Sequence, residues 1–167
     1  TAATVAAAGL PVPATLHGRD MLSPGYTPRT HVYAARDRCD VALERMRCVV
    51  DTRYKYIRNF LPGIPYMQLN PYKEKEYPTW NLVKQLHAAG ALNATQSLFA
   101  APSKPIEELY DLREDPHEIQ NLAAAPHHSQ QLANMRQLLD QWIVDTQDQG
   151  ALMEDPVPIY RDFFKQP

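Results

Sequence analysis

Arg36-Asp37-Arg38-Cys39-Asp40 puts two guanidiniums and two carboxylates within five consecutive residues. Planar, permanently charged donors grip a tetrahedral anion in bidentate fashion, and neighbouring carboxylates accept from sugar hydroxyls. The cluster can therefore hold an anionic, hydroxyl-rich ligand. A surface network of ion pairs uses the same side chains and is the competing reading. No complete catalytic set accompanies it. GxGxxG, P-loop, GxSxG and HExxH sequences are all absent, so dinucleotide, nucleotide, α/β-hydrolase and zincin chemistry each lack their motif. Cys39 as a nucleophile would need a base, and no pattern names one. His127-His128 beside Pro126 reads as exposed loop rather than a metal site, and His117 as a first-turn helix residue. Cys39 and Cys48 are too few for a disulfide scaffold or a cysteine-built zinc site, and read as small apolar residues.

The cluster sits at the end of a short run, His31 to Arg36, whose turn-rich flanks suit a strand. Arg45–Val50 and Arg53–Arg58 are β-favouring runs separated by Asp51-Thr52, which predicts a hairpin. Alternation puts Met46, Cys48 and Val50 on one face and Arg45 and Arg47 on the other, so one face is core and the arginines read as strand-surface charges. Residues 107–112 predict another strand, and Asp115-Pro116-His117-Glu118 a single helical turn capped by Asp115. Leu132, Met135, Leu138, Leu139, Trp142 and Ile143 form one stripe at helical spacing over 129–148, closed by Gly150. An amphipathic helix of this kind must lie on a sheet.

Elsewhere, residues 1–9 favour a helix that stops at Gly9, and residues 16–29 form a turn-rich connection. The Pro- and Tyr-dense stretch 60–78 predicts a surface wrap able to cover a cleft. Thr79 caps a short helix that runs to Gly90.

The 167 residues are 44% apolar with 15 Pro and 6 Gly, enough for one ordinary domain with a buried core. Seventeen basic side chains against nineteen acidic ones give a formal charge of −2, which does not support nucleic-acid binding through bulk positive charge. The first 60 residues carry +4 and the remainder −6, so an anion-seeking surface is expected in the first third. No apolar run approaches the roughly 20 residues of a membrane span, and the Ala-rich start lacks the pattern of a signal peptide. With Thr1 rather than Met in first place, the chain reads as part of something longer.

Three stretches together carry a family resemblance: AATVAAAGLPVPATLHGRDML, then HVYAARDRCD with RMRCVVDTRYKYIRNF, then EELYDLREDPHEIQNLA followed by SQQLANMRQLLDQWIVDTQ. In this order they resemble the late segments of sulfatases, members of the alkaline-phosphatase-like superfamily, with heparan- and glycan-type enzymes such as N-sulfoglucosamine sulfohydrolase nearest in character. The resemblance implies an α/β fold for the whole enzyme. For this chain it implies α+β structure: residues 1–60 as the end of the α/β domain and the start of a C-terminal subdomain, 61–106 as a connection with a short helix, and 107–167 as a strand, an amphipathic helix and a tail.

It also implies hydrolysis of sulfate esters or sulfamates, on a sulfated glycan, by a formylglycine nucleophile beside Ca²⁺. The motif for that residue, CxPxR or SxPxR, does not occur in the chain, and neither do the family's paired aspartates or late Asp-Asn and Asp-His metal ligands. Catalytic and metal-ligating residues are therefore expected outside it, in a missing N-terminal region, and the chain alone should be inactive. Arg36, Asp37, Arg38 and Asp40 are its candidate substrate-binding residues. A periplasmic, extracellular or lysosomal location follows from the resemblance, and Asn93-Ala94-Thr95 would be a glycosylation sequon on a eukaryotic secretory route. The alternative is a non-catalytic glycan-binding or interaction module derived from a sulfatase.

Overall fold

In the computed structural model, which describes residues 1–39 and 42–152, the β-favouring runs become one antiparallel sheet in the order β1-β2-β3-β4. The strands are β1 (His31–Cys39), β2 (Ala42–Asp51), β3 (Tyr54–Asn59) and β4 (Glu107–Asp111). The β2–β3 turn is tied by the Asp51 carboxylate, whose Oδ1 accepts from the backbone N–H groups of Arg53 at 2.7 Å and Tyr54 at 2.6 Å. An aspartate at this place mimics a backbone turn, which explains a tight hairpin without glycine.

The chain divides into residues 1–30 and a unit from His31 onward. In the first, α1 (Ala2–Ala7) precedes Gly9, which adopts φ +72° as the sequence predicts for a helix stop. The turns after it are tied by Arg19 to the Thr27 carbonyl at 3.2 Å and by Arg29 to the His17 carbonyl. No helix among the described residues is long and apolar enough to cross a membrane.

In the second unit, α5 (Ser129–Thr146) lies across the sheet. Leu132, Met135 and Leu139 pack on Val49, Tyr56 and Leu109, one apolar residue from each of β2, β3 and β4. Each such aliphatic side chain contributes about 1.5–3 kcal/mol by leaving water. Tyr33 of β1 closes the cluster by stacking on Trp142 with centroids 5.2 Å apart, while its hydroxyl donates to the Leu138 carbonyl at 3.3 Å. Burial pushes the Tyr56 phenol up to about 12, and its hydrogen bond to Glu107 adds to the shift.

The sheet turns the opposite way from the sequence expectation. α5 covers the face that carries Arg45, Arg47 and Val49, so the two arginines are buried, at 3% and 1% exposure, rather than surface charges. Two local features make this affordable. Arg36 pairs with Met46 and Arg38 with Leu43, so β2 gains a residue, and Glu44 and Arg45 together oppose Asp37. This bulge breaks the alternation and leaves both Glu44 and Arg45 buried. Beyond α5 the chain then folds back over the arginines: Asp148 pairs with Arg47 at 2.7 Å and the Gly150 carbonyl accepts from Arg45 at 2.8 Å.

Gly150 therefore does not close the helix. Gln147 does so, in the left-handed conformation at φ 53°. Glycine is needed at 150 because a Cβ there would lie 1.6 Å from Arg47 Nη2. Three more expectations change. The helix assigned to Thr79 is α3 (Pro78–Ala88), whose N-cap is Tyr77 and whose proline supplies the first turn. The stretch 60–78 is not all irregular, since Asn70 caps α2 (Pro71–Glu76) by accepting from Lys73 N–H, and a further helix, α4 (Ala94–Phe99), starts from an Asn93/Gln96 capping box. The helical turn at Asp115 does not form. Glu118 adopts φ 55°, and the Asp115 carboxylate accepts from Ile119 and Gln120 N–H instead.

Three carboxyls beside guanidiniums are held below their usual range by those hydrogen bonds: Glu107 by Arg136, Asp111 by Arg53, and Asp148 by Arg47. A carboxyl whose folded value is lowered binds fewer protons folded than unfolded near pH 4. Its stabilisation is thus complete above the ordinary value of about 4 and is lost as pH falls through the lowered one. The urea midpoint should hold steady between pH 6 and 8 and fall steadily below about pH 4. A midpoint that stays level down to about pH 2 would contradict these pairings.

Candidate functional site

With α5 on one face, the opposite face of the sheet is left to line a groove of about 800 Å³. Its floor follows from strand alternation: Arg36 on β1, Met46 on β2, Ile57 on β3, and Glu108 and Tyr110 on β4. The walls come from chain segments between and after these strands. They include Leu98 and Phe99 of α4, Tyr66 and Lys104, and His117, Glu118, Ile119 and Asn121.

Glu108, 4% exposed, anchors the polar end of the floor. Its Oε1 accepts from Asn59 Nδ2 at 2.6 Å and from Tyr66 OH at 2.5 Å, and its Oε2 accepts from Tyr110 OH at 2.6 Å. Burial first, and the Glu108 carboxylate second, push both phenols well above the ordinary tyrosine value, so they remain donors. A carboxylate with three donors committed to it is a structural acceptor rather than a general base.

The cations at the groove or paired with its lining differ in how they are held. Lys104 is buried and paired with Glu44, with its Nζ 5.4 Å from the Tyr66 ring centroid. Lys55 on β3 bonds Glu118 at 2.6 Å. Arg36 is exposed at the groove and, among the described residues, makes no hydrogen bond or ion pair. It is the guanidinium there whose donors are open to a ligand.

The sequence cluster is thus split across the sheet. Arg36 enters the groove, whereas Asp37 turns to the α5 face and bonds Arg47 at 2.8 and 3.2 Å. Arg38 is half-buried beyond the bulge, opposite Leu43. Asp40 lies outside the described residues. Neither cysteine is set up as a nucleophile. Burial pushes the Cys48 thiol up to about 11 although Lys55 pulls it the other way, and Cys39 is a free thiol on the surface.

Sequence reasoning missed the polar end of the groove. Glu108 and Tyr110 occupy alternate positions of EELYDL, which is a visible signal, and Tyr66 belongs to the segment expected to cover a cleft. The Glu44–Lys104 pair spans sixty residues and has no local signature. A formylglycine and Ca²⁺ do not fit the residues present: no group of three or more His, Cys, Asp or Glu among the described residues could hold a metal ion, and neither cysteine is followed by the required proline and arginine.

No family model matches the chain. It is 38% identical over 126 residues to an ulvan-active sulfatase of Formosa agariphila, an alignment that covers 75% of this chain and 21% of that protein. Among solved structures it is similar to a putative sulfatase of Bacteroides thetaiotaomicron, with TM-score 0.58 and 22% identity, over 94% of this chain and 27% of that one. A 2-O GAG sulfatase gives the same TM-score, 0.58, over 27% of its length. A protein solved with its substrate D-glucosamine-2-N,6-O-disulfate gives TM-score 0.56 at 15% identity, over 92% of this chain and 25% of that one. The chain thus spans only 21% to 27% of the length of these proteins. With the sequence match and the shared fold each extending over most of its length, the chain belongs to the sulfatase family, as a C-terminal portion.

Proposed function

We propose that this chain is the substrate-side part of an enzyme that hydrolyses sulfate esters or sulfamates on a sulfated glycan. The nucleophile and the metal ligands are supplied by residues outside these 167, and Arg36 holds an anionic group of the glycan in the groove. The observation that carries this reading is an exposed arginine without a partner among the described residues, at a groove of about 800 Å³, large enough for sugar residues. The phenol oxygens of Tyr66 and Tyr110, whose protons are fixed on Glu108, can accept from sugar hydroxyls, and the apolar side chains of the lining suit the C–H groups on a sugar's faces. Support for the substrate class comes from relatives: one is named for activity on ulvan and one was solved with a doubly sulfated glucosamine.

The test compares the chain alone with the full-length enzyme on ulvan oligosaccharides, D-glucosamine-2-N,6-O-disulfate and a chromogenic aryl sulfate. The full-length enzyme should release sulfate from at least one of the two glycans. The isolated chain, supplied with divalent metal, should release none above a heat-killed control. Turnover by the chain alone would overturn the assignment of chemistry to other residues, and a full-length enzyme inert on both glycans would overturn the substrate class.

A further inference from the structure

Among the described residues β1 is an edge strand, held by backbone bonds from β2 alone, and the bulge interrupts that ladder where Asp37 stands. Side chains take over the restraint. Asp37 bonds the Arg47 guanidinium with both oxygens, at 2.8 Å to Nη1 and 3.2 Å to Nη2. Arg47 is immobile in turn. Its remaining donors go to Asp148 at 2.7 and 3.0 Å and to the Met46 carbonyl at 2.9 Å, so all five N–H groups are used in a site 1% exposed. Arg36 is the next residue along the strand and projects to the opposite face. Its direction is therefore set by whatever fixes the backbone at Asp37.

We propose that Asp37 is a positioning residue for substrate binding: clamped by Arg47 beneath the sheet, it aims Arg36 into the groove above. The proposal rests on the reading of Arg36 as the ligand-holding residue. It gives Asp37 a part in recognition without contact with the ligand, because its carboxylate is on the far side of the sheet. Losing the clamp leaves Arg36 chemically intact and misdirected, which costs affinity for a substrate that reaches Arg36 and spares one that does not.

The experiment uses the full-length enzyme with ulvan oligosaccharide and D-glucosamine-2-N,6-O-disulfate as glycan probes and a chromogenic aryl sulfate as the small one. Asp37→Asn should raise the glycan KM about three- to tenfold, with kcat and the aryl sulfate KM changing less than about twofold. Asp111→Asn is the control, since it breaks an ion pair of similar burial, with Arg53 at 2.6 Å, and touches neither β1 nor the Arg47 clamp. It should lower thermal stability comparably and leave the glycan KM at the parent value. Asp37→Glu retains the charge and lengthens the arm by one methylene; it should also raise the glycan KM, and it serves if the asparagine variant does not fold. Equal KM increases in the Asp37 and Asp111 variants would reduce Asp37 to a structural role and overturn the proposal. So would a parent-like glycan KM in both Asp37 variants while Arg36→Ala raises it. If Arg36→Ala itself leaves the glycan kinetics unchanged, the underlying reading fails.

Discussion

Replacing both Asp37 and Asp148 with asparagine is expected to destabilise the fold by about 3–5 kcal/mol, the usual cost of leaving a buried charge without its partner. Arg47 is 1% exposed, whereas the two carboxylates are 40% and 18% exposed at the side chain. The guanidinium is thus the member that water cannot reach. Either single asparagine should cost clearly less than the pair, because the remaining carboxylate still neutralises Arg47 through two bonds. The two effects should then combine more than additively, as expected for groups that share one partner. Arg47→Met should also cost less than the double variant, since it removes the buried charge and leaves two carboxylates that water can partly solvate. Urea unfolding of the four variants checks this order. A double variant within about 0.5 kcal/mol of the parent, the range of ordinary surface changes, would mean that the guanidinium is solvated after all.

The same pair shows where sequence reasoning stops. The hairpin and α5 were legible because their signals are local: alternating β-favouring residues around Asp51-Thr52, and a stripe at Leu132, Met135 and Leu139 that the structure buries. The choice of sheet face was not. Met46, Cys48 and Val50 are the more apolar set, and alternation alone favours them as core. What decides the matter is Asp148, 101 residues from Arg47, together with an interrupted ladder at Asp37. Both are properties of the folded chain. The short helices were a different kind of miss. Asn70-Pro71 and Asn93 with Gln96 are readable caps, but the surrounding density of prolines and tyrosines outweighed them. At Glu118 an acidic residue takes a left-handed conformation because Asp115 captures the two N–H groups beyond it, a competition that composition does not reveal. Of the candidate site, Arg36 was legible from its place in a charged run at a strand end. The separation of Arg36 from Asp37 onto opposite faces follows from strand alternation and was obscured by reading the run as one patch.

In the full-length enzyme, Arg36→Ala is expected to lower kcat/KM for a sulfated glycan by about tenfold to a hundredfold, the value of a lost hydrogen bond to a charged group. The argument begins with what Arg36 lacks. Lys104 and Lys55 stand near the same groove but are neutralised by Glu44 and Glu118, so their charge is already spent within the protein. Arg36 has no such partner among the described residues, and its floor neighbours Met46 and Ile57 offer no competing acceptor side chain. An anionic group arriving there meets an unshared guanidinium beside apolar surface, where a bidentate contact is stronger than in open water. Arg36→Lys keeps the charge and loses the fork, so it should recover only part of the loss. A small aryl sulfate has no distal sugar to reach the groove and should be affected much less. Equal losses on glycan and aryl sulfate would mark Arg36 as structural. Glycan kinetics unchanged in Arg36→Ala would remove it from the site, and with it the reason for placing the substrate on this face of the sheet.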